Sequence, residues 1–506
     1  MIYYIWSYEN IQNNIFFDAS LASEGRYDML TYNFENVSGP LYEHLYICIK
    51  NDINSGNLAA NEKLPSKRTF AKNLGVSTIT VENAYDQLIS EGYVYALYKK
   101  GYYVADISGI AKIKPSRLES ADIHRPAKKD VYEYDLSNNQ TNPDNFPFSI
   151  WTKLLRETLS EKNDALMVNS PCNGIYELRA AIAEHLRSFR GMDVDPDRIV
   201  IGAGTEYLYG MLIRIFGKNK TYLVENPGHR KISQIYKSND VKVLCADMDE
   251  SGITVPALNE SGADIVHISP THHFPTGITM PASRRYELLA WANESSGRYI
   301  IEDDYDSEFR LNGKPIPTLQ SIDINEKVIY MNTFSKSLAS TIRISYMVLP
   351  VHLANRYYKT LSFYSCTVSN FEQYTLASFI NRGYFEKHIN RMRLYYARRR
   401  KQVLDIIKKS PLGDRCEIIE KDSGLHMLIR LFMDGSGHDL NESGYSLSFG
   451  DFDRKLAEKK IHKTPMSEYY DNPCDADRGL YLINYSNLDI KKLGKALEIM
   501  AELLEL

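Results

Sequence analysis

From about residue 134 onward, short apolar runs alternate with helical patterns, and this alternation limits the fold more than any other feature of the chain. The runs fall at 198–202, 221–225, 241–246, 264–269, 299–303, 328–332 and 345–349. Most are close to continuously apolar, the pattern of strands buried on both faces. Strands of that kind separated by helices require a largely parallel sheet covered by helices on both sides. Seven of them predict an α/β domain over residues 134–350. Residues 351–506 read as C-terminal helices, with one long helix over 370–408, followed by a small α+β subdomain.

The length of 506 residues allows roughly two to four domains. A net charge of −4 argues against a protein that coats nucleic acid indiscriminately, so any DNA contact must come from a local patch. Six cysteines (48, 172, 245, 366, 416 and 474) form neither a Cys-x-x-Cys pair nor a metal-like cluster, which fits a reducing cytoplasm. No apolar run reaches the roughly 18 residues of a membrane span. Residues 1–28 are rich in Tyr and Asn and lack the basic start and apolar core of a secretion signal. We expect residues 1–34 to be an extension and Met29 to be the natural start.

Residues 35–105 carry a second architecture. Leu41, Leu45 and Ile49 repeat at helical spacing after Pro40. A second helix follows Leu64-Pro65-Ser66 and ends at Gly75. Ser77 is the N-cap of a third, which places Val81, Ala84, Tyr85 and Leu88 on one face. Two β runs, Tyr93–Tyr98 and Tyr102–Ala105, meet through Lys99-Lys100-Gly101. Three helices and a hairpin make a winged helix-turn-helix. Residues 106–133 contain Pro115, Pro126 and several lysines without periodicity, and read as a mildly basic linker. It is a plain tether, or a tether that also touches DNA phosphates.

The apolar run 328–332 continues through Thr333, Phe334 and Ser335 to Lys336, with Arg343 seven positions beyond. A lysine at a strand end, hydroxyls suited to a phosphate and an arginine behind them are the footprint of a pyridoxal 5′-phosphate (PLP) site. Ile201-Gly202-Ala203-Gly204-Thr205-Glu206 reads as strand, glycine turn and helix start, whose free N–H groups suit a phosphate. Ile300-Ile301-Glu302-Asp303-Asp304-Tyr305-Asp306 ends a strand in acid and phenol, and PLP needs a carboxylate on its ring nitrogen. His272 and His273 fall in the turn Pro270–Gly277 and are either satisfied turn histidines or catalytic groups.

Leu64-Pro65-Ser66-Lys67-Arg68, Leu74-Gly75-Val76-Ser77 and Thr80-Val81 resemble a GntR-type winged helix, and the ordered motifs after residue 134 resemble fold-type I aminotransferases. Together with Phe146-Pro147, Trp151, Arg190-Gly191 and Gly383-Tyr384-Phe385-Glu386, the chain resembles the MocR/GabR family of transcriptional regulators. This resemblance implies that Lys336 forms the imine with PLP, and that Asp303 holds the ring nitrogen. By the same token Tyr305 bonds the ring hydroxyl, His229 stacks on the ring, and Gly204, Thr205, Thr333, Ser335 and Arg343 hold the phosphate. It further implies that Lys67 and Arg68 bind DNA, with Arg68 on phosphate and within reach of a base edge, that Ser77, Thr78, Ile79 and Thr80 enter the major groove of an operator, and that Lys99, Lys100 and Gly101 lie along the minor groove. The implied assembly is a homodimer in which each winged helix packs on the partner's large domain, and the implied ligand is an amino compound or PLP itself.

Four departures sharpen the expectation. Thr78 stands where the GntR pattern often has Arg, removing a guanine reader. Phe274 stands where aminotransferases usually have Asn, and His229 where they have a larger aromatic. Leu482 occupies the register of the arginine that grips a substrate carboxylate; the nearest arginine is Arg478, and Arg230 or Lys231 could serve instead. Without a bidentate clamp, turnover of ordinary amino acids should be poor. The leading reading is a PLP-dependent regulator. The alternatives are a working aminotransferase that carries a DNA-binding module, a PLP-free scaffold, and a winged helix used for protein contact.

Overall fold

The computed structural model describes residues 30–34, 37, 39–107, 131–310, 316–419, 424–432, 449–472 and 479–505. Residues 1–29, which include the expected start at Met29, lie outside that set. So do residues 108–130, most of the expected linker, and Arg478. The chain divides into two compact units, one ending at Lys128 and the other running from Lys129.

In the first unit, α1 (Leu41–Ser55), α2 (Lys67–Leu74) and α3 (Thr78–Ser90) precede the hairpin strands β2 (Val94–Leu97) and β3 (Gly101–Val104). A two-residue strand, β1 (Lys63–Leu64), pairs antiparallel with β3 and was not foreseen; two residues carry no periodicity to read. Ser66 and Ser77 cap α2 and α3 by accepting hydrogen bonds from the backbone N–H of Thr69 (3.2 Å) and Thr80 (3.1 Å). Val81, Ala84, Tyr85 and Leu88 are all fully buried, joining Leu45, Ile49 and Phe70 in one core. Leu41, expected on the buried face of α1, is instead 40% exposed because it opens the first turn. Leu30, Tyr32 and Phe34 pack against this core, and the Tyr32 hydroxyl donates to Asp52 at 2.7 Å.

The second unit is built on an eight-stranded sheet. Its order is Ile199–Gly202, Ser345–Val348, Val328–Thr333, Tyr299–Asp303, Ile265–Ile268, Thr221–Asn226, Lys242–Asp249 and Gly252–Ile253. All seven expected strands are present. Ser345–Val348 runs antiparallel to both neighbours, and five of the other six expected strands pair only in parallel or through it. The eighth strand is only two residues folded back on the edge, too short to show in the sequence. Apolar layers lie on both faces: the helices Tyr176–Arg190, Asn370–Asn381 and Tyr384–Lys409 contribute to one, and Thr205–Phe216 and Val351–Leu361 to another.

The expected single helix over 370–408 is two, Asn370–Asn381 and Tyr384–Lys409. Gly383 at φ +69° turns the chain between them, a left-handed conformation that costs glycine little. The C-terminal part carries an antiparallel sheet ordered Cys416–Ile419, His426–Leu431, Leu480–Asn484, Thr464–Pro465. Among the described residues no helix is long and apolar enough to cross a membrane.

Candidate functional site

In an open parallel sheet, ligands collect beyond the carboxyl ends of the strands, where successive connections splay apart. Here Gly202, Asn226, Asp303 and Thr333 are the last residues of four such strands. A cavity of about 280 Å³ opens there, far more than a single water needs. Thr205, His229, Asp303 and Tyr305 line it, together with Thr333, Ser335, Lys336 and Arg343. Thr205 and Arg343, 138 positions apart in the chain, thus converge on one space.

Lys336 sits in a single helical turn, Phe334–Ser337, directly after the fully buried strand Val328–Thr333. Its ammonium donates to the backbone oxygen of Asn139 at 3.2 Å and to that residue's side chain, which Asn484 also approaches at 2.8 Å. Enclosure lowers the Lys336 pKa to about 8, against the pull of the Asp306 carboxylate. The free amine, the nucleophilic form, is therefore accessible near neutral pH.

The acidic run 302–306 divides by strand alternation and by what each side chain meets. Glu302 accepts from the backbone N–H of Leu319 (2.8 Å) and Gln320 (2.9 Å), capping a short helix. Asp304 pairs with buried Arg190 and accepts from the Tyr330 hydroxyl at 2.7 Å. Asp306 meets His272 at 2.8 Å. Asp303 alone of the four faces the cavity. Its Oδ2 accepts from the Tyr209 hydroxyl at 2.7 Å and lies 3.5 Å from His267 Nε2, whose Nδ1 lies 2.9 Å from the Tyr236 hydroxyl. Asp303 Oδ1 is buried and has no hydrogen-bond partner among the described residues. An uncompensated carboxylate oxygen is costly, and a protonated ring nitrogen is the partner that would complete it.

At the other end, Gly204 has φ +94° and the Arg343 guanidinium crosses it. A Cβ there would lie 2.3 Å from Arg343 Nη2. Arg343 itself has φ +52° and donates to the Ala203 carbonyl (3.3 Å) and the Glu206 carboxylate (2.9 Å). Thr205 opens the helix Thr205–Phe216, with its unpaired first N–H groups toward the cavity end. Ser335 Oγ lies 2.8 Å from Thr333 Oγ1, which also receives a hydrogen bond from Ser345. A glycine-floored cup with an arginine, hydroxyls and a helix start fits a phosphate ester.

The comparisons agree with this geometry. Residues 133–498 match the family described as aminotransferase class I and II, and residues 41–104 match bacterial regulatory proteins of the gntR family. The chain is 37% identical over 394 residues to the HTH-type transcriptional regulator YdeL of Bacillus subtilis, covering 78% of this chain and 84% of that one. It is 30% identical over 404 residues to the probable rhizopine catabolism regulatory protein MocR of Rhizobium meliloti, covering 77% and 82%. The chain belongs to the MocR/GabR family of transcriptional regulators. Among solved structures, a kynurenine aminotransferase of Pyrococcus horikoshii superposes with a TM-score of 0.63 at 24% identity, covering 74% of this chain and 91% of that one, which establishes the fold alone. The family makes this chain a DNA-binding regulator with PLP as its cofactor.

Within this MocR-type regulator, several of the expected residues also meet neighbours that the sequence does not announce. The His229 ring Nδ1 accepts from the backbone N–H of Lys231 (3.3 Å) and caps the helix Arg230–Ser238; the same ring lies 5.7 Å from Phe274. Arg230 and Lys231 do line the cavity, but Lys231 is paired with Glu206. His272 is satisfied by Asp306 at 2.8 Å, outside the turn, and His273 by Thr276 at 2.7 Å within it. Leu482 is buried with Leu428, Met466 and Leu480 beside Phe274 and Tyr469, so an apolar cluster fills the arginine register. On the winged helix, Arg68, Ser77, Thr78 and Ile79 are exposed, as are Lys99 and Lys100, while Gly101 is half-buried. Lys67 instead pairs with Glu82 at 2.8 Å, and the Ser77 hydroxyl is shared with Thr80 at 2.8 Å, so both begin engaged.

Sequence reading missed Asn139, Tyr209, His267, Glu225 and Asn484. Glu225 and His273 show why such groups are hard to foresee. Burial pushes the Glu225 carboxyl up to about 8 and the His273 imidazole down to about 3, so the pair at 3.4 Å is neutral at pH 7. No spacing rule joins residues 48 positions apart, one on a strand and the other in a turn.

Proposed function

We propose that this regulator holds PLP in the cavity at the carboxyl ends of the sheet and reads, through it, either an amino compound or the supply of PLP itself. The observation that carries the reading is the convergence of the low-pKa amine of Lys336 with the unpartnered oxygen of Asp303 in one cavity. When bound, PLP supplies an aldehyde and an electron-withdrawing ring. The chain's own residues then have separable tasks. Lys336 provides the amine. Asp303, held by Tyr209 and backed by His267, keeps a proton on the ring nitrogen. Tyr305, which lies 3.2 Å from His272, bonds the ring hydroxyl. Gly204, Thr205, Ser335 and Arg343 receive the phosphate, with Thr333 capping the turn that carries Ser335 and Lys336.

The apolar filling around Leu482 supports a sensor over an aminotransferase, because an unanchored carboxylate leaves an amino acid poorly oriented for turnover. The same reading assigns a cytoplasmic homodimer and a division into residues 35–105, 106–133, 134–350 and 351–506. Arg68, Thr78, Ile79, Lys99 and Lys100 would contact the operator, with Ser77 and Thr80 fixing the helix start. Residue 478 or the Arg230–Lys231 pair would meet an acidic effector. Purified protein should show the visible absorbance of lysine-bound PLP, and Lys336→Ala should lose it. Incubation with amino donors and 2-oxoglutarate should give turnover orders of magnitude below the ~10 s⁻¹ of a typical enzyme. A colourless protein that takes up no PLP overturns the reading, and rapid turnover favours the enzyme.

A further inference from the structure

Glu206 occupies a position that a phosphate cup should leave to the ligand. It is the second residue of the helix Thr205–Phe216, whose start faces the cavity. One carboxylate oxygen takes a hydrogen bond from Arg343 Nη2 at 2.9 Å, and the other pairs with Lys231. Both cations on this side of the cup are therefore already engaged by one side chain, which cancels one of their two charges. The carboxyl is held below the usual range, by the Lys231 hydrogen bond first, so it is charged when a ligand arrives.

We infer that Glu206 is a built-in competitor of the cofactor's phosphate, and that it sets the regulator's affinity for PLP low enough for occupancy to follow supply. This rests on the reading of the cavity as a PLP site. A phosphate ester carries about −1.5 to −2 charges at pH 7. With Glu206 in place, that charge makes the cup net negative; with a neutral side chain there, the cup is close to balanced. To seat the phosphate, Arg343 must exchange a carboxylate for it, and Glu206 must turn toward solvent or remain on Lys231 alone. Gly204 leaves room for that exchange, since the guanidinium takes up the space that a Cβ would fill. An internal anion that must be displaced lowers apparent affinity without altering any residue that touches the ring.

The test compares PLP with pyridoxal, which has the same aldehyde and ring but no phosphate. Full-length wild type and Glu206→Gln, both stripped of cofactor, are titrated with each compound and followed by visible absorbance. Glu206→Gln should bind PLP about tenfold more tightly, a modest value because the carboxylate is partly solvent-screened. Its affinity for pyridoxal should not change, and Glu206→Asp should stay near wild type. Inorganic phosphate should also compete with PLP more effectively in Glu206→Gln than in wild type. PLP affinity that is unchanged or weaker in Glu206→Gln overturns the inference, as does an equal gain for pyridoxal. A wild type that takes up no PLP overturns this inference and the function reading together, whereas PLP uptake with a silent Glu206→Gln overturns this one alone.

Discussion

Raising the pH across the Lys336 titration tests the site's chemistry directly. The lysine's ordinary value is 10.5, and burial lowers it to about 8. Below that value the side chain is an ammonium and cannot attack an aldehyde; above it the amine is free. At pH 7 about a tenth of the molecules carry the amine, against about 0.03% for an ordinary lysine, an advantage of about 300-fold. The rate at which stripped protein captures PLP should therefore rise about tenfold between pH 7 and 9 and then flatten. An ordinary lysine would give a rise of about a hundredfold over the same range with no plateau. Stopped-flow absorbance on mixing with PLP measures this, with Lys336→Ala as the blank. Because Asp306 holds the ammonium form, Asp306→Asn should move the inflection below 8. An inflection still climbing beyond pH 9.5 would refute the argument that burial activates this lysine.

Gly204→Ala should weaken PLP binding by at least about tenfold in an absorbance titration, because the added methyl must displace the Arg343 guanidinium from 2.3 Å in a left-handed backbone. Thr78→Arg, at an exposed position on the first turn of α3, should add about 1–3 kcal/mol of preference for guanine at one operator position, read by competition between single-base variants. No change in base preference would place α3 outside the major groove.

Much of this molecule was legible because the relevant signals are local. The strand 328–333 and its lysine are contiguous, and so are the 299–306 strand with its acids and the Ser77 cap with its helix. Register supplied more: Leu482 sits on the strand Leu480–Asn484 where an arginine was sought, among apolar neighbours. What stayed hidden arises from convergence. Asn139 meets Lys336 across 197 positions, and Tyr209 meets Asp303 across 94, with nothing in either segment to announce the partner. The Glu206 bridge is of the same kind: the sequence shows an acidic helix start, and only the fold puts Arg343 and Lys231 on it. Helix length failed for a different reason, since Gly383 interrupts a continuous apolar periodicity and periodicity alone does not register a turn.

The central claim is that the PLP site informs the DNA-binding unit, and operator affinity in the presence and absence of PLP measures it most directly. Full-length wild type and Lys336→Ala should be titrated on the same operator, selected from a random DNA pool by the wild-type protein. Both proteins should bind DNA, and added PLP, alone or with an amino compound, should change the affinity of the wild type only. A folded Lys336→Ala that cannot bind DNA, or a wild type whose operator affinity ignores PLP and amines alike, would contradict the account.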